Sequence, residues 1–133
     1  MKASISHIYF YVSDLKKSYE FYKKLFTYFE YKDEVNEDWG FAFGKDGMSF
    51  WFEQTPKEHL KDGYHRKRTG LNHIAIKVNS KEDVDGFSQE FLQKENISAL
   101  YDTPKSFPEY GESYYAVYFE DPDRIKLEVA YHN

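Results

Sequence analysis

The chain repeats itself, and this repeat constrains its fold more than any other feature of the sequence. Residues 5–12 (ISHIYFYV) align with residues 71–78 (LNHIAIKV), and the same offset matches apolar residues in the segments that follow. Self-similarity at about half the length of a 133-residue chain indicates two copies of one folding unit. One histidine heads each copy, His7 in the first and His73 in the second.

Each opening segment alternates apolar and polar residues with a period of two, which is typical of a half-buried β-strand. The apolar sides of the two strands consist of Ile8, Phe10 and Val12 in the first copy and Ile74, Ile76 and Val78 in the second. His7 and His73 therefore point away from the apolar sides, and His7 shares its side with Tyr9 and Tyr11.

A helix and a hairpin follow each opening strand. Ser13 is the predicted N-cap of the first helix, and Ser80, three residues before Asp83, begins a capping box for the second. The hairpins turn at residues 45–47 and 121–123, where Asp, Gly and Pro favour a change of direction. Aligning the two turns places Glu53 opposite Glu128, and both carboxylates point to the same side as the histidines.

The second copy contains extra residues before its hairpin, at positions 107–111 (FPEYG). Such a loop could be a lid or a surface crossing, and we interpret it as a crossing. The length fits a single domain, residues 1–133, made of a module 1–66 and a module 67–133.

Composition restricts the possible functions. A net charge of −5 argues against a nucleic-acid partner, and the absence of cysteine excludes disulfides and thiolate ligands. No stretch is long and apolar enough to suggest export or a membrane segment, so we expect a cytoplasmic protein. Any metal site must use His, Asp or Glu.

Four residues of these types recur symmetrically in the two copies, namely His7, Glu53, His73 and Glu128. Buried carboxylates need a compensating positive charge, and a divalent cation would supply it. Two imidazoles and two carboxylates suit one ion of Zn, Ni, Co, Mn or Fe(II), with remaining positions for water or substrate. The sequence therefore predicts that the four side chains converge on one metal site.

The chain resembles the vicinal oxygen chelate superfamily, which includes glyoxalase I, extradiol dioxygenases, fosfomycin-resistance enzymes and bleomycin-binding proteins. The resemblance rests on residues 7–15 (HIYFYVSDL), 71–76 (LNHIAI) and 119–128 (FEDPDRIKLE). Two departures are Thr27 and Arg124, where family members usually have glycine. The resemblance implies an α+β fold in which two βαβββ modules form a cupped mixed sheet with helices outside, and it also implies a homodimer.

By the same resemblance, His7, His73 and Glu128 match metal ligands, and Glu53 matches the fourth ligand of glyoxalase I. A one-residue slip would bring Gln54 to that position instead. A complete site would polarise a carbonyl or enolate oxygen while Glu128 or Glu53 transfers a proton, as in glyoxalase I.

Two other functions fit the sequence. With Fe(II) held by His7, His73 and Glu128, the protein would be an extradiol-type dioxygenase. Without metal, it would be a small-molecule binding protein of the bleomycin-resistance type. The predicted substrate-binding residues are Tyr9, Tyr11 and Trp51, with Trp39 lining a metal-free cleft, and Arg66 and Arg68, which could bind an anionic substrate or belong to a solvated linker.

Overall fold

Each half of the chain forms one βαβββ unit, as the internal repeat predicts. The structure is a computed structural model that describes residues 1–133, and it divides into unit 1, Met1–Gly63, and unit 2, Tyr64–Asn133. The division therefore falls three residues before the predicted end of the first module at residue 66 (66 − 63 = 3). Each unit has a four-stranded mixed sheet with its helix packed on one face, so the α+β fold class is confirmed.

Unit 1 has its strands in the order β1-β4-β3-β2. Its elements are β1 (His7–Val12), α1 (Leu15–Tyr28), β2 (Lys32–Glu37), β3 (Gly40–Lys45), β4 (Met48–Gln54) and a 3₁₀ helix (Lys57–Asp62). β1 runs parallel to β4, and the other neighbours are antiparallel. The parallel pair is possible because α1 crosses over between them.

Helix α1 begins one residue later than predicted. Asp14 is the N-cap, with its carboxylate accepting a hydrogen bond from the Lys17 amide at 3.1 Å, so the assignment of Ser13 was wrong. Gln54 explains the shift, because its amide donates to the Ser13 carbonyl at 2.8 Å and accepts from the Leu15 amide at 3.0 Å. These two bonds fix the chain on either side of Asp14.

The core of unit 1 is aromatic. Tyr22 of α1 lies over Phe52 of β4 with ring centroids 4.3 Å apart, and both side chains are buried. The other buried apolar residues of this core are Phe10, Val12, Leu25, Phe26, Phe41, Phe43 and Phe50. Phe10, Val12, Phe50 and Phe52 occupy the predicted apolar sides of β1 and β4. The residues on the opposite face of these two strands are His7, Tyr9, Tyr11, Ser49, Trp51 and Glu53.

Unit 2 repeats this topology with the strand order β5-β8-β7-β6. Its elements are β5 (His73–Lys77), α2 (Lys81–Phe87), a π-helical turn (Ser88–Gln93), β6 (Leu100–Ser106), a 3₁₀ helix (Pro108–Tyr110), β7 (Tyr115–Glu120) and β8 (Lys126–Tyr131). Ser80 caps α2 through the Asp83 amide at 3.0 Å, as predicted. No helix in the chain has both the length and the apolar character that a membrane span requires.

Unit 2 buries side chains on both faces of its sheet. One face packs against the helix, and the opposite face carries a second apolar cluster of Phe107, Ala116, Tyr118 and Ala130, with Leu100 and Tyr114 packed against it. Residues 107–114 therefore fold back over the sheet. Residues 107–111 were interpreted as a surface crossing, but Phe107 is only 8% exposed and packs against the sheet.

Candidate functional site

His73 and Glu128 meet on the face of the unit 2 sheet that is opposite α2. β5 and β8 are parallel, with His73 level with Lys126 and Ala75 level with Glu128, so the two side chains lie on one face, two residues apart along the strands. His73 Nε2 is 2.9 Å from Glu128 Oε2. Glu128 is completely buried. The sequence prediction that these two residues come together is thus consistent with the geometry.

The other ring nitrogen of His73 has a partner of its own. His73 Nδ1 is 2.7 Å from Asn72 Oδ1, and Asn72 Nδ2 lies 3.4 Å from the Arg66 carbonyl, which orients the amide with its oxygen toward the imidazole. Because an amide oxygen only accepts, Nδ1 carries the proton. In a neutral imidazole, Nε2 then has a lone pair directed at the Glu128 carboxylate. This contact requires either a second proton or a metal ion.

Glu128 presents one satisfied oxygen and one unsatisfied oxygen. Tyr114 donates its phenolic hydrogen to Oε1 at 2.6 Å. Oε2 is buried and has no donor directed at it with hydrogen-bond geometry, even though His73 Nε2 is nearby. A buried carboxylate oxygen without a donor would fit a cation, because a buried charge needs a compensating opposite charge.

A cavity of about 610 Å³ opens beside this pair and belongs entirely to unit 2. Its volume is within the range of small-molecule sites. The lining residues are Asn72, His73, Tyr101, Phe107, Tyr110, Tyr114, Tyr118, Lys126 and Glu128. Five of these nine side chains are aromatic, so the cavity combines an apolar wall with a small group of ionisable residues.

Two phenols beside Glu128 are held in their neutral form. Burial, together with the hydrogen bond to Glu128, raises the pKa of Tyr114 above its ordinary value. Burial and the Glu128 charge also raise the pKa of Tyr118. Both hydroxyls can therefore donate hydrogen bonds across the physiological pH range.

Unit 1 resembles unit 2 in the surroundings of its histidine, but it has no carboxylate at the position that matches Glu128. His7 Nδ1 is 3.1 Å from the hydroxyl of the preceding residue, Ser6, as His73 Nδ1 is bonded to the preceding Asn72. His7 is level with Ser49 in β4, so the position that corresponds to Glu128 is Trp51. The correspondence of Glu53 with Glu128 was therefore wrong by two residues.

Glu53 nevertheless lies on the same face of the unit 1 sheet as His7. It is level with Tyr11, four positions beyond His7, which corresponds to about 13 Å along a strand. Gln54, the alternative to Glu53, points to the other face, where its amide holds the start of α1. Of these two residues, Glu53 is the one on the histidine face.

The predicted aromatic substrate-binding residues form a stack on that face. Trp51 lies between Tyr9 and Trp39, with ring centroids 6.2 Å apart and planes within 12° in both pairs. Partial burial and the neighbouring Glu53 carboxylate raise the pKa of the Tyr9 phenol. Tyr11 is 57% exposed. Substrate binding by these residues stays a prediction.

Arg66 and Arg68 do not line the cavity of unit 2. Arg66 donates to Glu120 at 2.7 Å and to the Arg124 carbonyl at 3.1 Å, so its guanidinium joins the start of unit 2 to the β7–β8 turn. Arg68 is exposed. Their role in substrate binding also stays a prediction.

The structure thus brings together two of the four predicted ligands. It contains no group of three or more His, Asp and Glu side chains that could hold a metal ion. His73 and Glu128 are the pair in contact, and the participation of His7 and Glu53 stays a prediction.

Several cavity residues were not predicted from the sequence. Asn72 carried a signal, because a polar residue precedes each strand histidine. Tyr114 could have been suspected from the high tyrosine content but not placed. Tyr101 had no signal, because its segment lacks the alternation typical of a strand.

Comparisons with known proteins agree with this fold. A family model described as the Glyoxalase/Bleomycin resistance protein/Dioxygenase superfamily matches residues 4–129. The chain is 37% identical over 123 residues to the uncharacterized protein YqjT of Bacillus subtilis strain 168, a match that covers 92% of this chain and 94% of that protein.

Solved structures share the architecture. A glyoxalase candidate from Bacillus halodurans matches with a TM-score of 0.87 and 33% identity, over 96% of this chain and 95% of its own. The lactoylglutathione lyase of Agrobacterium tumefaciens has the same fold, with a TM-score of 0.70 and 15% identity over 98% of this chain and 94% of its own. The chain therefore belongs to the Glyoxalase/Bleomycin resistance protein/Dioxygenase superfamily.

Proposed function

We propose that this chain is a metal-dependent enzyme that acts on a small molecule in the cavity of unit 2, with His73 and Glu128 as metal ligands. One observation carries the proposal. The Asn72 amide oxygen lies at His73 Nδ1, and on the opposite side of the ring Nε2 faces the unsatisfied Oε2 of Glu128 at 2.9 Å. A divalent ion satisfies both atoms at once.

The chemistry that fits best resembles that of glyoxalase I. A bound divalent ion would act as a Lewis acid toward a substrate oxygen. Glu128 supplies the carboxylate that can transfer a proton, while Tyr114 holds its Oε1 and leaves Oε2 toward His73. The aromatic wall of the cavity supplies an apolar surface against which the body of a substrate can pack.

His7 is the third proposed ligand, and Glu53, about 13 Å from it along the strands, stays a sequence prediction as the fourth. Support for His7 comes from Ser6, which bonds its Nδ1 and leaves Nε2 available, as Asn72 does for His73. Support for Glu53 is its place on the same sheet face as His7. Glu53 is also a second candidate for proton transfer.

Two alternatives belong to the same superfamily. An extradiol-type dioxygenase would use Fe(II) with His7, His73 and Glu128 as a facial triad. A metal-free binding protein is favoured by the five aromatic side chains of the cavity, which suit a flat ligand without any reaction.

Metal analysis tests the proposal. The chain is stripped with chelator, loaded separately with Zn, Ni, Co, Mn or Fe(II), freed of excess ion and measured for bound metal. We expect about one ion per chain in the parent and loss of retention in His73→Ala, Glu128→Gln and His7→Ala. His59→Ala is the matched control, because His59 is exposed and pairs only with Asp62 near the surface.

Each outcome has a distinct meaning. Full retention of metal by His73→Ala and Glu128→Gln would overturn the metal site, and a parent that takes up none of the ions would favour the binding protein. Retention by His7→Ala alone would remove His7 from the ligand set. Assays with a thiol-aldehyde hemithioacetal and with a catechol then separate the two enzymes.

We also propose that the protein is a homodimer, as the family resemblance implies, and that it is cytoplasmic, as expected from the sequence. Light scattering of the purified chain at several concentrations measures the mass, and a mass of one chain at all concentrations would refute the dimer.

A further inference from the structure

Lys126 is a cation that faces the cavity and contacts no carboxylate. Its Nζ lies 5.5 Å from the ring centroids of both Tyr101 and Tyr118. The residue lines the cavity and is partly buried. The ammonium group of Lys126 therefore lies over the faces of two tyrosine rings at the wall of the cavity. A ligand that enters the cavity would displace water from this group.

The carboxylates closest to Lys126 in strand register have other partners. Glu120, directly opposite on β7, accepts from Arg66 at 2.7 Å and from Arg124 at 3.3 Å. Glu128, two residues along β8, is in contact with His73 and Tyr114. Lys126 thus retains a positive charge that no side chain of unit 2 neutralises through a salt bridge.

The backbone of β6 is distorted near Tyr101, whose ring is one of the two that contact Lys126. Its pairing with β7 loses register between Leu100 and Lys105, and Tyr101 and Asp102 have φ values of 59° and 53°. Left-handed conformations are unfavourable for such residues and persist where the surrounding structure imposes them. The distortion interrupts the pairing of β6 where Tyr101 lies, and the Tyr101 ring stands 5.5 Å from that of Tyr118, beside Lys126.

We propose that Lys126, flanked by Tyr101 and Tyr118, is a subsite for an anionic group, so that the substrate is a small carboxylic acid with a planar apolar body. The aromatic wall fits the planar body. An apolar group would remove water from the ammonium group without replacing it, and a neutral carbonyl would accept a hydrogen bond but supply no opposite charge, whereas a carboxylate forms a stronger charge-assisted one. This inference rests on the cavity being the substrate site, as proposed above, but it does not depend on metal.

Benzoate and benzamide test the subsite, because they have similar size and shape and differ in charge. Binding to the chelator-treated chain is followed by NMR titration, so that no metal can hold the carboxylate. We expect benzoate to bind about tenfold more tightly than benzamide to the parent, which is the ordinary size of one favourable charged contact. Lys126→Met should abolish this preference.

Lys81→Met is the matched control, because Lys81 also lies over a tyrosine ring, at 5.7 Å from Tyr115, but outside the cavity. It should keep the preference for benzoate. Equal affinity for the two probes, a preference that survives Lys126→Met, or no perturbation by either probe at tens of millimolar would each overturn the subsite.

The metal analysis keeps the two proposals apart. Lys126→Met should still retain about one ion per chain, because Lys126 is not a ligand. If His73→Ala and Glu128→Gln keep their metal while benzoate is still preferred, the metal site fails and the anion subsite stands. Loss of metal in those variants without any benzoate preference gives the opposite result.

Discussion

His73 and Glu128 are in contact through Nε2 and Oε2, 2.9 Å apart, although the proton of the neutral imidazole lies on the far nitrogen, Nδ1. The contact therefore depends on Asn72, which determines the position of that proton. In metalloproteins, the partner of the second ring nitrogen fixes both the tautomer and the orientation of a histidine ligand. Asn72 is then as much a part of the site as the residues that would touch the ion.

Replacing Asn72 should weaken metal binding. Asn72→Leu removes the acceptor of the Nδ1 proton, and we expect the metal dissociation constant to rise about 10- to 100-fold, as when other outer partners of histidine ligands are lost. Competition with a fluorescent chelator measures the constant. Asn72→Asp keeps an acceptor oxygen and should bind metal nearly as well as the parent; equal affinities in all three proteins would contradict the role of Asn72.

Removing the Tyr114 hydroxyl should destabilise unit 2. Tyr114→Phe leaves the buried Oε1 of Glu128 without its donor, and we expect the free energy of unfolding to fall by about 1–3 kcal/mol. Urea denaturation of the metal-free chain measures this change. Tyr110→Phe removes a hydroxyl from a neighbouring side chain that is 63% exposed, and it should have little effect. Equal losses in the two variants would count against the hydrogen bond.

Arg124 should prefer replacement by glycine over replacement by alanine. The φ of Arg124 is 66°, which lies in the left-handed region that favours glycine. Family members usually have glycine at this position of the turn. We expect Arg124→Gly to be about 1 kcal/mol more stable than Arg124→Ala, because only glycine adopts this conformation without strain. Both variants lose the ion pair with Glu120. The difference between their free energies of unfolding, measured by thermal or urea denaturation, therefore reports the backbone effect alone. The opposite order would refute it.

Glu120 should contribute stability that disappears at acid pH. Burial opposes its ionisation, but hydrogen bonds and charges from Arg66 and Arg124 outweigh burial and lower its pKa. A lowered pKa in the folded state means that the stabilisation is complete above the unfolded pKa and is lost as the pH falls through the folded one. We expect Glu120→Gln to cost about 1–2 kcal/mol at pH 7 and progressively less at acid pH.

The measurement is the free energy of unfolding from pH 7 downward, for the parent and for Glu120→Gln. Glu112→Gln, on the exposed loop before β7, is the control and should follow the parent. A cost that stays constant across the acid range would show that the Arg66 pair does not set the pKa of Glu120.

Much of the fold could be predicted because the sequence repeats itself, so that each strand and helix pattern in one half is supported by a similar pattern in the other half. The alternation around His7 and His73 predicted β1 and β5 and the faces of both strands, and Ser80 marked the start of α2. β2 and β6 were harder to predict. β2 is charged along most of its length with only Val35 partly buried, and β6 contains Pro104 and a break in its pairing.

The error at Glu53 has a geometric cause. The turns of the two hairpins were aligned as if they had equal lengths, but two residues separate Lys45 from Met48 and five separate Glu120 from Lys126. The strand register therefore cannot be read from the turn centres. The cavity wall at residues 107–114 was not predictable either. Phe107 packs in one cluster with Ala130 of β8, which is distant in sequence, and no local pattern indicates such a contact.

The indole of Trp51 occupies in unit 1 the place that the acid occupies in unit 2. In unit 1 the imidazole of His7 is thus oriented by the residue before it, as in unit 2, but no carboxylate stands at the position that matches Glu128. Trp51→Glu would place a carboxylate two residues along the strands from His7, in the relationship that Glu128 has to His73, and would give each unit its own pair of candidate cation ligands.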